Sequence, residues 1–354
     1  MRPTPSDPRD MAIAILYQAL PPPVIDGLRK DAKPGGYSDS GADMGHALRA
    51  AGCTIVTPVA DPDPTQIFDW VFPDTPEGIA AALAAGAELL WANTVLFAGH
   101  PIEAASRRAW IVGQDPAATQ AMDDKAATNA RLSEAGLPVA TSTLVSLATL
   151  DGATLPVPAV VKPVRGRGSQ GVSVVRDRPA LDAAVRALIA GGRFGDTVMI
   201  EQFLPGTEIT VTIMPPGTRD GDHRPWALPP VRRFDQIGDV APYNGDVPVS
   251  RNSVAMTPAE MADPAITAVL DDCVTAATLL AIRAPIRIDC RQDEDGRYVL
   301  FDLNAKPNIT GAGRPGRDDQ DSLSTLAAQG AGWTYADLLR AALRAAWTKM
   351  DIPA

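Results

Sequence analysis

The sequence predicts a chain of two characters: an open α/β part with a parallel sheet, followed by an α+β part. Three observations carry this. Short apolar runs alternate with helical patterns through roughly the first third of the chain, the rhythm that βαβ crossovers produce. After Gly136 and Pro138 the pattern changes to strands with few helices between them. The 354 residues are too many for one small domain and enough for several packed layers.

Taken in order, residues 1–10 form a polar tail. Ala12–Tyr17, AIAILY, is an apolar run of the length of a buried strand. A Pro-rich turn and the loop KPGGYSDSG follow. Ser40 is placed to cap a helix with Met44, Leu48 and Ala51 along one face. Cys53–Pro58 and Trp70–Phe72 read as strands, Glu77–Ala85 as an alanine-rich helix and Glu88–Trp91 as another strand. Met122–Ala135 is helical until Gly136 and Pro138 stop it. Ala159–Lys162, Gly171–Val175, Val198–Phe203 and Glu208–Met214 are strands, with a helix over Leu181–Ala190. Residues 215–257 are rich in Pro, Gly and Arg with weak periodicity, and a loop that long inside a compact domain is commonly functional. Pro258–Arg283 carries a helical apolar stripe through Ile266, Val269, Leu270, Cys273, Ala277 and Leu280. Strands over Pro285–Cys290 and Tyr298–Leu303 meet at an Asp295-Gly296 turn, and an amphipathic helix over 334–347 closes the chain.

Composition excludes some functions. A net charge of -10 and a pI near 4.8 oppose binding to phosphate backbones, so nucleic acid is not an expected partner. No apolar run approaches the ~20 residues of a membrane helix, so no membrane partner is expected either. Cys53, Cys273 and Cys290 lie far apart in apolar stretches and read as buried free thiols, as in a reducing cytoplasm. The expected localisation is cytoplasmic, and a homodimer is left open.

Four segments carry chemistry: MDDKAATNARLSEAGLPVA, PAVVKPVRGRGSQGVSVV, MIEQFLPGTEITV and RIDCRQDEDGRYVLFDLNAKPNIT. In the second, an apolar strand delivers Lys162, and Gly166, Gly168 and Gly171 let backbone amides approach a triphosphate whose charge the lysine offsets. A plain glycine-rich hairpin is the rival reading. The stem of Lys162 begins in the core of a chain whose lysines are Lys30, Lys33, Lys125, Lys162, Lys306 and Lys349 alone, and that scarcity tips the balance to function. The third segment, alone, reads as an ordinary hairpin; a Leu-Pro-Gly break would also leave backbone groups for a base, and Glu208 could accept from ribose hydroxyls. In the fourth, Arg287 and Asp289 share one strand face, as do Asp302 and Asn304 on the next. If the strands pair, three oxygen ligands suited to Mg²⁺ converge beside an arginine able to stabilise negative charge. An exposed hairpin with an Arg–Asp pair is the rival here, but Phe301 and Leu303 flank Asp302 in a strand with a buried face.

The four segments resemble the ATP-grasp superfamily, and most its D-alanine–D-alanine ligase branch, with its DK…T…GLP stretch, KP…GS.GV loop, E.F(I/L)PG.E hinge and R.D…(E/D).N..P pair of strands. The resemblance runs from about Gly113 to the C-terminal helix. It implies an ATP-grasp fold with an N-terminal open α/β domain over 1–115, a central subdomain over 116–205, and a C-terminal subdomain over 206–354 with the metal site and a lid at 215–257. It implies ATP, with Lys125 and Lys162 on its phosphates, Ser169 and the glycine-loop amides over them, Glu201, Phe203 and Leu204 along the adenine mostly through backbone, and Glu208 on the ribose. It implies two Mg²⁺ ions, replaceable by Mn²⁺, on Asp289, Asp302 and Asn304, and Arg287 against the tetrahedral intermediate.

The sequence departs from the family on its substrate side. Asp302 stands where glutamate is usual, Asn129 where a second lysine is, and the lid's aromatic–lysine pair is missing, with Tyr243 a stand-in. Lys306 occupies an apolar position, and Asn308 replaces a glycine whose amide faces the intermediate. Tyr37, Ser38, Lys306, Asn308 and Arg314 are the candidate substrate contacts. The expected activity is ADP-forming ligation of a carboxylate to an amine through an acyl phosphate, releasing ADP and phosphate, on an amino acid other than D-alanine or a small carboxylate. The rivals are a D-alanine–D-alanine ligase proper, an ATP-grasp enzyme with a thiol or hydroxyl acceptor, and a nucleotide-binding protein without ligase activity.

Overall fold

A computed structural model of the chain describes residues 7–166, 168–240 and 249–349. Tyr243 therefore lies outside the described residues. The strands are β1 Ile13–Tyr17, β2 Val24–Ile25, β3 Leu28–Arg29, β4 Val71–Pro73, β5 Leu89–Asn93, β6 Trp110–Val112, β7 Ser142–Val145, β8 Ala159–Pro163, β9 Ser173–Val175, β10 Val198–Gln202, β11 Glu208–Met214, β12 Trp226–Ala227, β13 Val231–Arg233, β14 Ser253–Ala255, β15 Ile286–Gln292 and β16 Tyr298–Asn304.

Four of them make a parallel sheet in the order β4-β1-β5-β6. β1 and β5 are buried on both faces, as helix-covered parallel strands are. The segment Cys53–Pro58 is not a full strand: it makes a single parallel bridge, Ile13 to Ile55. Pro58 has no amide to donate, and the Pro-rich run beyond it leaves the sheet. The first helix spans Ser38–Ala50, so Ser40 is not its cap; the buried Ser40 hydroxyl donates instead to the Tyr37 carbonyl at 3.0 Å.

A second, antiparallel sheet has the order β7-β10-β8-β9, with the helix Arg178–Ala190 packed on it through Leu181 and Val185. The third runs β14-β13-β11-β15-β16, with β12 also on β11. The stretch 215–257 is thus not one structureless loop. Its strands are two or three residues long, and Pro229 and Pro230 interrupt the alternation that would have revealed them. The expected helix over Met122–Ala135 begins later, as Lys125–Glu134, because Asp124 accepts from the Ala127 amide at 2.9 Å and caps it; a separate helix, Pro116–Met122, precedes it.

The first sheet shares a core with the C-terminal helices: Ile13, Ile15, Leu89, Leu323, Leu338 and Leu339 pack in one cluster. The helix Leu323–Gly330 was not expected, and the closing helix is Tyr335–Leu343. Helix Pro264–Leu279 covers the third sheet, with Cys273 Sγ 3.7 Å from Cys290 Sγ and all three cysteines buried as free thiols. No described helix is long and apolar enough to cross a membrane.

Candidate functional site

Strands of the second and third sheets, with the loops that follow β1 and β5 of the first, line one cavity of about 520 Å³. Its floor is built by strand register. β8 pairs with β10 so that Met199 faces Lys162, and the Lys162 ammonium donates to Glu201 Oε1 at 2.7 Å and to the Phe301 carbonyl at 3.1 Å. Lys162 is 5% exposed, so its cation depends on these partners. The sequence places Glu201 along the adenine mostly through its backbone; its side chain is here the counter-ion of Lys162. Its other oxygen, Oε2, is buried without a hydrogen-bond partner among the described residues. Burial pushes the Glu201 carboxyl up, against the pull of Lys162.

The β15–β16 pairing is the one the sequence required. Arg287 lies opposite Asn304 and Asp289 opposite Asp302, with a register shift just after, between Asp289 and Cys290. Asp289 accepts from Thr210 Oγ1 at 2.7 Å and from Arg287 Nε at 3.2 Å. Lys125, the first residue of its helix, pairs with Asp302. Burial raises the Asp302 pKa, but the Lys125 and Lys162 charges outweigh it and hold the carboxyl below its ordinary value. Among the described residues no three Asp, Glu, His or Cys side chains form a ready-made metal cage. Two carboxylates and the Asn304 amide are a hard oxygen set that leaves most of a coordination shell to phosphate and water, and so fits Mg²⁺ rather than a soft metal.

Over this floor lies the glycine loop, where Gly168 (φ 61°), Ser169 (φ 57°) and Gly171 (φ 73°) are all left-handed. Such a conformation is costly for serine, and turns that mix left-handed residues in this way are where backbone amides commonly receive anions. At the other end Phe203 is flanked by the guanidiniums of Arg176, at 4.7 Å, and Arg291, at 5.4 Å, and Leu204 also lines the cavity. Glu208 accepts from Gln236 Nε2 at 2.7 Å and lies 4.0 Å from Arg291.

Desolvation, with the Asp289 charge adding to it, raises the Glu208 pKa to about 7 against the pull of Arg233, Arg291 and Arg287. A raised carboxyl pKa means stability that is full below the unfolded value near 4.5 and is lost as pH rises through about 7. Glu208→Gln, which mimics the neutral acid, is expected to match the parent at pH ~5 and to exceed it by roughly 2–3 kcal/mol at pH ~8 in EDTA. Urea melts at both pH values check this; a constant gap would show that Glu208 does not titrate in this range.

On the substrate side, Tyr37, Lys306 and Asn308 line the cavity. Lys306 donates to Asn93 Oδ1 at 2.7 Å and sits 3.5 Å from the Tyr37 ring centroid. Asn93 in turn donates to the Tyr37 carbonyl at 2.9 Å and to Ser40 Oγ at 3.0 Å. Asn308 Oδ1 is buried with no partner among the described residues. Ser38 and Arg314 are not in the lining, contrary to expectation. Ser38 is buried as the first residue of the first helix, and Arg314 is consumed by Asp43 at 2.7 Å and the Pro64 carbonyl at 3.1 Å, a strut between the C-terminal turn and that helix. Sequence reasoning missed Asn93, Arg165, Gln236 and Arg291. Only Asn93 carried a signal: a polar residue ending an apolar parallel strand, at the carboxyl edge where such sheets bind ligands.

Residues 134–344 match the family model described as D-ala D-ala ligase C-terminus. The chain belongs to this ligase family. A D-alanine–D-alanine ligase of Gloeobacter violaceus is 29% identical over 188 residues, 53% of this chain and 55% of that one. One from Acidiphilium cryptum is 32% identical over 196 residues, covering 55% and 60%. The chain thus spans little more than half the length of the curated ligases it matches. The fold is that of the family throughout: the ATP-complexed crystal structure of the Bacillus anthracis D-alanine–D-alanine ligase covers 94% of this chain and 95% of its own, at a TM-score of 0.63 and 17% identity.

Proposed function

We propose that this member of the ligase family is an ADP-forming carboxylate–amine ligase that uses ATP and Mg²⁺. The observation that carries the reading is the joint placement of Lys125, Lys162, Asp289, Asp302 and Asn304 along one cavity under a left-handed glycine loop. In this reading Lys125 and Lys162 draw the phosphate oxygens, and Ser169 with the loop amides covers them. Phe203 and Leu204 flank the base, Glu201 Oε2 accepts from it, and the ribose displaces Gln236 from Glu208.

Asp289, Asp302 and Asn304 hold two metal ions, with Mn²⁺ a substitute. When bound, they neutralise charge on the transferring phosphoryl group. The Lys125–Asp302 pair presets both groups for this, a cation for phosphate and a carboxylate for metal. Arg287, held by Asp289, faces the oxyanion of the tetrahedral intermediate as the amine attacks the acyl phosphate. The protein's task is positioning and charge stabilisation; no side chain becomes covalently modified. The working units are 1–115, 116–205 and 206–354, and the part of 215–257 around Gln236 and Asp239 acts as lid.

The substrate side supports an acceptor or donor other than D-alanine. Lys306, Asn93 and Tyr37 form a linked cluster, and the cation there fits a substrate carboxylate, while Asn308 Oδ1 fits an N–H donor. ADP release from MgATP with D-alanine alone, and with other amino acids of both hands singly and in pairs, tests the reading. ADP and a ligated product are expected, with another pair faster than D-alanine with itself. Efficient D-alanyl-D-alanine formation would restore the D-alanine reading, and ATP binding without ADP release from any pair would leave a binding protein.

A further inference from the structure

The stretch between β1 and the first helix builds a wall of the cavity. β2 and β3 form a small hairpin whose charged side chains tie it to the central part. Arg165 donates to Asp26 at 2.5 Å, Arg193 pairs with Asp31, and Lys30 pairs with Asp123. Leu28 Cδ1 lies so near Gly195 that a β-carbon there would approach it to 2.6 Å. Ile25 and Leu28 line the cavity from this hairpin, and Arg29, exposed, lies between them and Lys30. Immediately after Asn93 and Thr94, Val95, Leu96 and Phe97 line it too.

Both stretches are held from below by one group. Asp74, fully buried at the end of β4, accepts from the amides of Ala19 and Leu20 at 2.8 Å each and from Thr94 Oγ1 at 2.6 Å; His100 Nε2 lies 3.2 Å away. The carboxylate thus fixes the start of the Pro-rich run that leads into the hairpin and the start of the Val95–Phe97 loop. An apolar surface pinned this way, beside the Lys306–Asn93–Tyr37 cluster, is pre-organised for a ligand group rather than left from loose packing.

We infer that one of the two substrates carries an apolar side chain larger than a methyl group, read by Ile25, Leu28, Val95, Leu96 and Phe97, with Asp74 as the positioning residue beneath them. This rests on the ligase reading. The cluster at Lys306 takes the polar end of an amino acid, and the wall takes its aliphatic or aromatic side chain. Each added methylene in such a pocket is worth about 10-fold or more in kcat/KM.

The experiment uses the full chain with MgATP and measures ADP and product mass for alanine, valine, leucine, phenylalanine and glutamate of both hands, alone and paired. At least one of valine, leucine and phenylalanine is expected to exceed alanine and glutamate by about 10-fold or more in kcat/KM. Ile25→Asn and Phe97→Asn are each expected to shrink that ratio several-fold, and Phe97→Leu to keep most of it; far-ultraviolet circular dichroism confirms that the variants are folded. Asp74→Asn is expected to raise KM for the apolar substrate more than it lowers kcat. Preference for alanine or glutamate, or a ratio that both asparagine variants leave unchanged, overturns this inference while leaving the ligase reading intact. No ADP from any pair overturns the ligase reading and this inference with it.

Discussion

Lys162→Ala is expected to lower ATP turnover by roughly 10²–10³-fold or to below detection, the scale on which a preorganised charge at a reacting group acts. The ammonium is buried between Glu201 and the Phe301 carbonyl, so the loss is twofold. The phosphates lose a desolvated cation, and Glu201 is left as a buried acid without its counter-ion, which costs a fold about 3–5 kcal/mol. The two effects separate in a double variant. Lys162→Ala with Glu201→Gln is expected to regain stability in urea melts while turnover stays low. Near-normal turnover in either variant would move the nucleotide site elsewhere. Lys30 is no neutral control, since it lines the cavity and pairs with Asp123; Lys349, which lies outside the lining, is the better one.

If the proposed metal site is right, Asp302→Asn and Asp289→Asn should each reduce activity by about 10²-fold or more and shift the magnesium titration to higher concentration, because each would remove a hard anionic ligand and keep the shape. The two differ in one respect. Asp302 also holds Lys125, so its variant frees that cation and is expected to weaken ATP binding less than activity. Asp289 is held by Thr210 and Arg287, and its variant is expected to loosen Arg287 as well. Normal turnover by both at low magnesium would place the metal site elsewhere.

Which elements were legible follows from how local their signals are. β1, β5, β8, β10, β11, β15 and β16 announce themselves as apolar runs bounded by Gly, Pro or Asp, and the Asp295-Gly296 turn gave the pairing that sets Asp289 opposite Asp302. β12, β13 and β14 did not, since two- or three-residue strands are stabilised by their neighbours and carry no period of their own. The same limit governs the site.

By itself the sequence determined the fold class and the membership of the ligase family, and it marked Lys125, Lys162, Asp289, Asp302 and Asn304 as the candidates for the proposed site. Lys162 and the three oxygen donors stood out by residue type and spacing, and Lys125 through the family resemblance alone. Only the tertiary structure decided the partners. Glu201 as the counter-ion of Lys162, Asn93 under Lys306, Arg314 spent on Asp43, and Asp74 beneath both apolar stretches all join residues from 20 to 271 positions apart. Burial makes such pairings obligatory, because a charge or amide taken out of water must find a partner. Which partner it finds depends on how the sheets pack, and no local pattern records that.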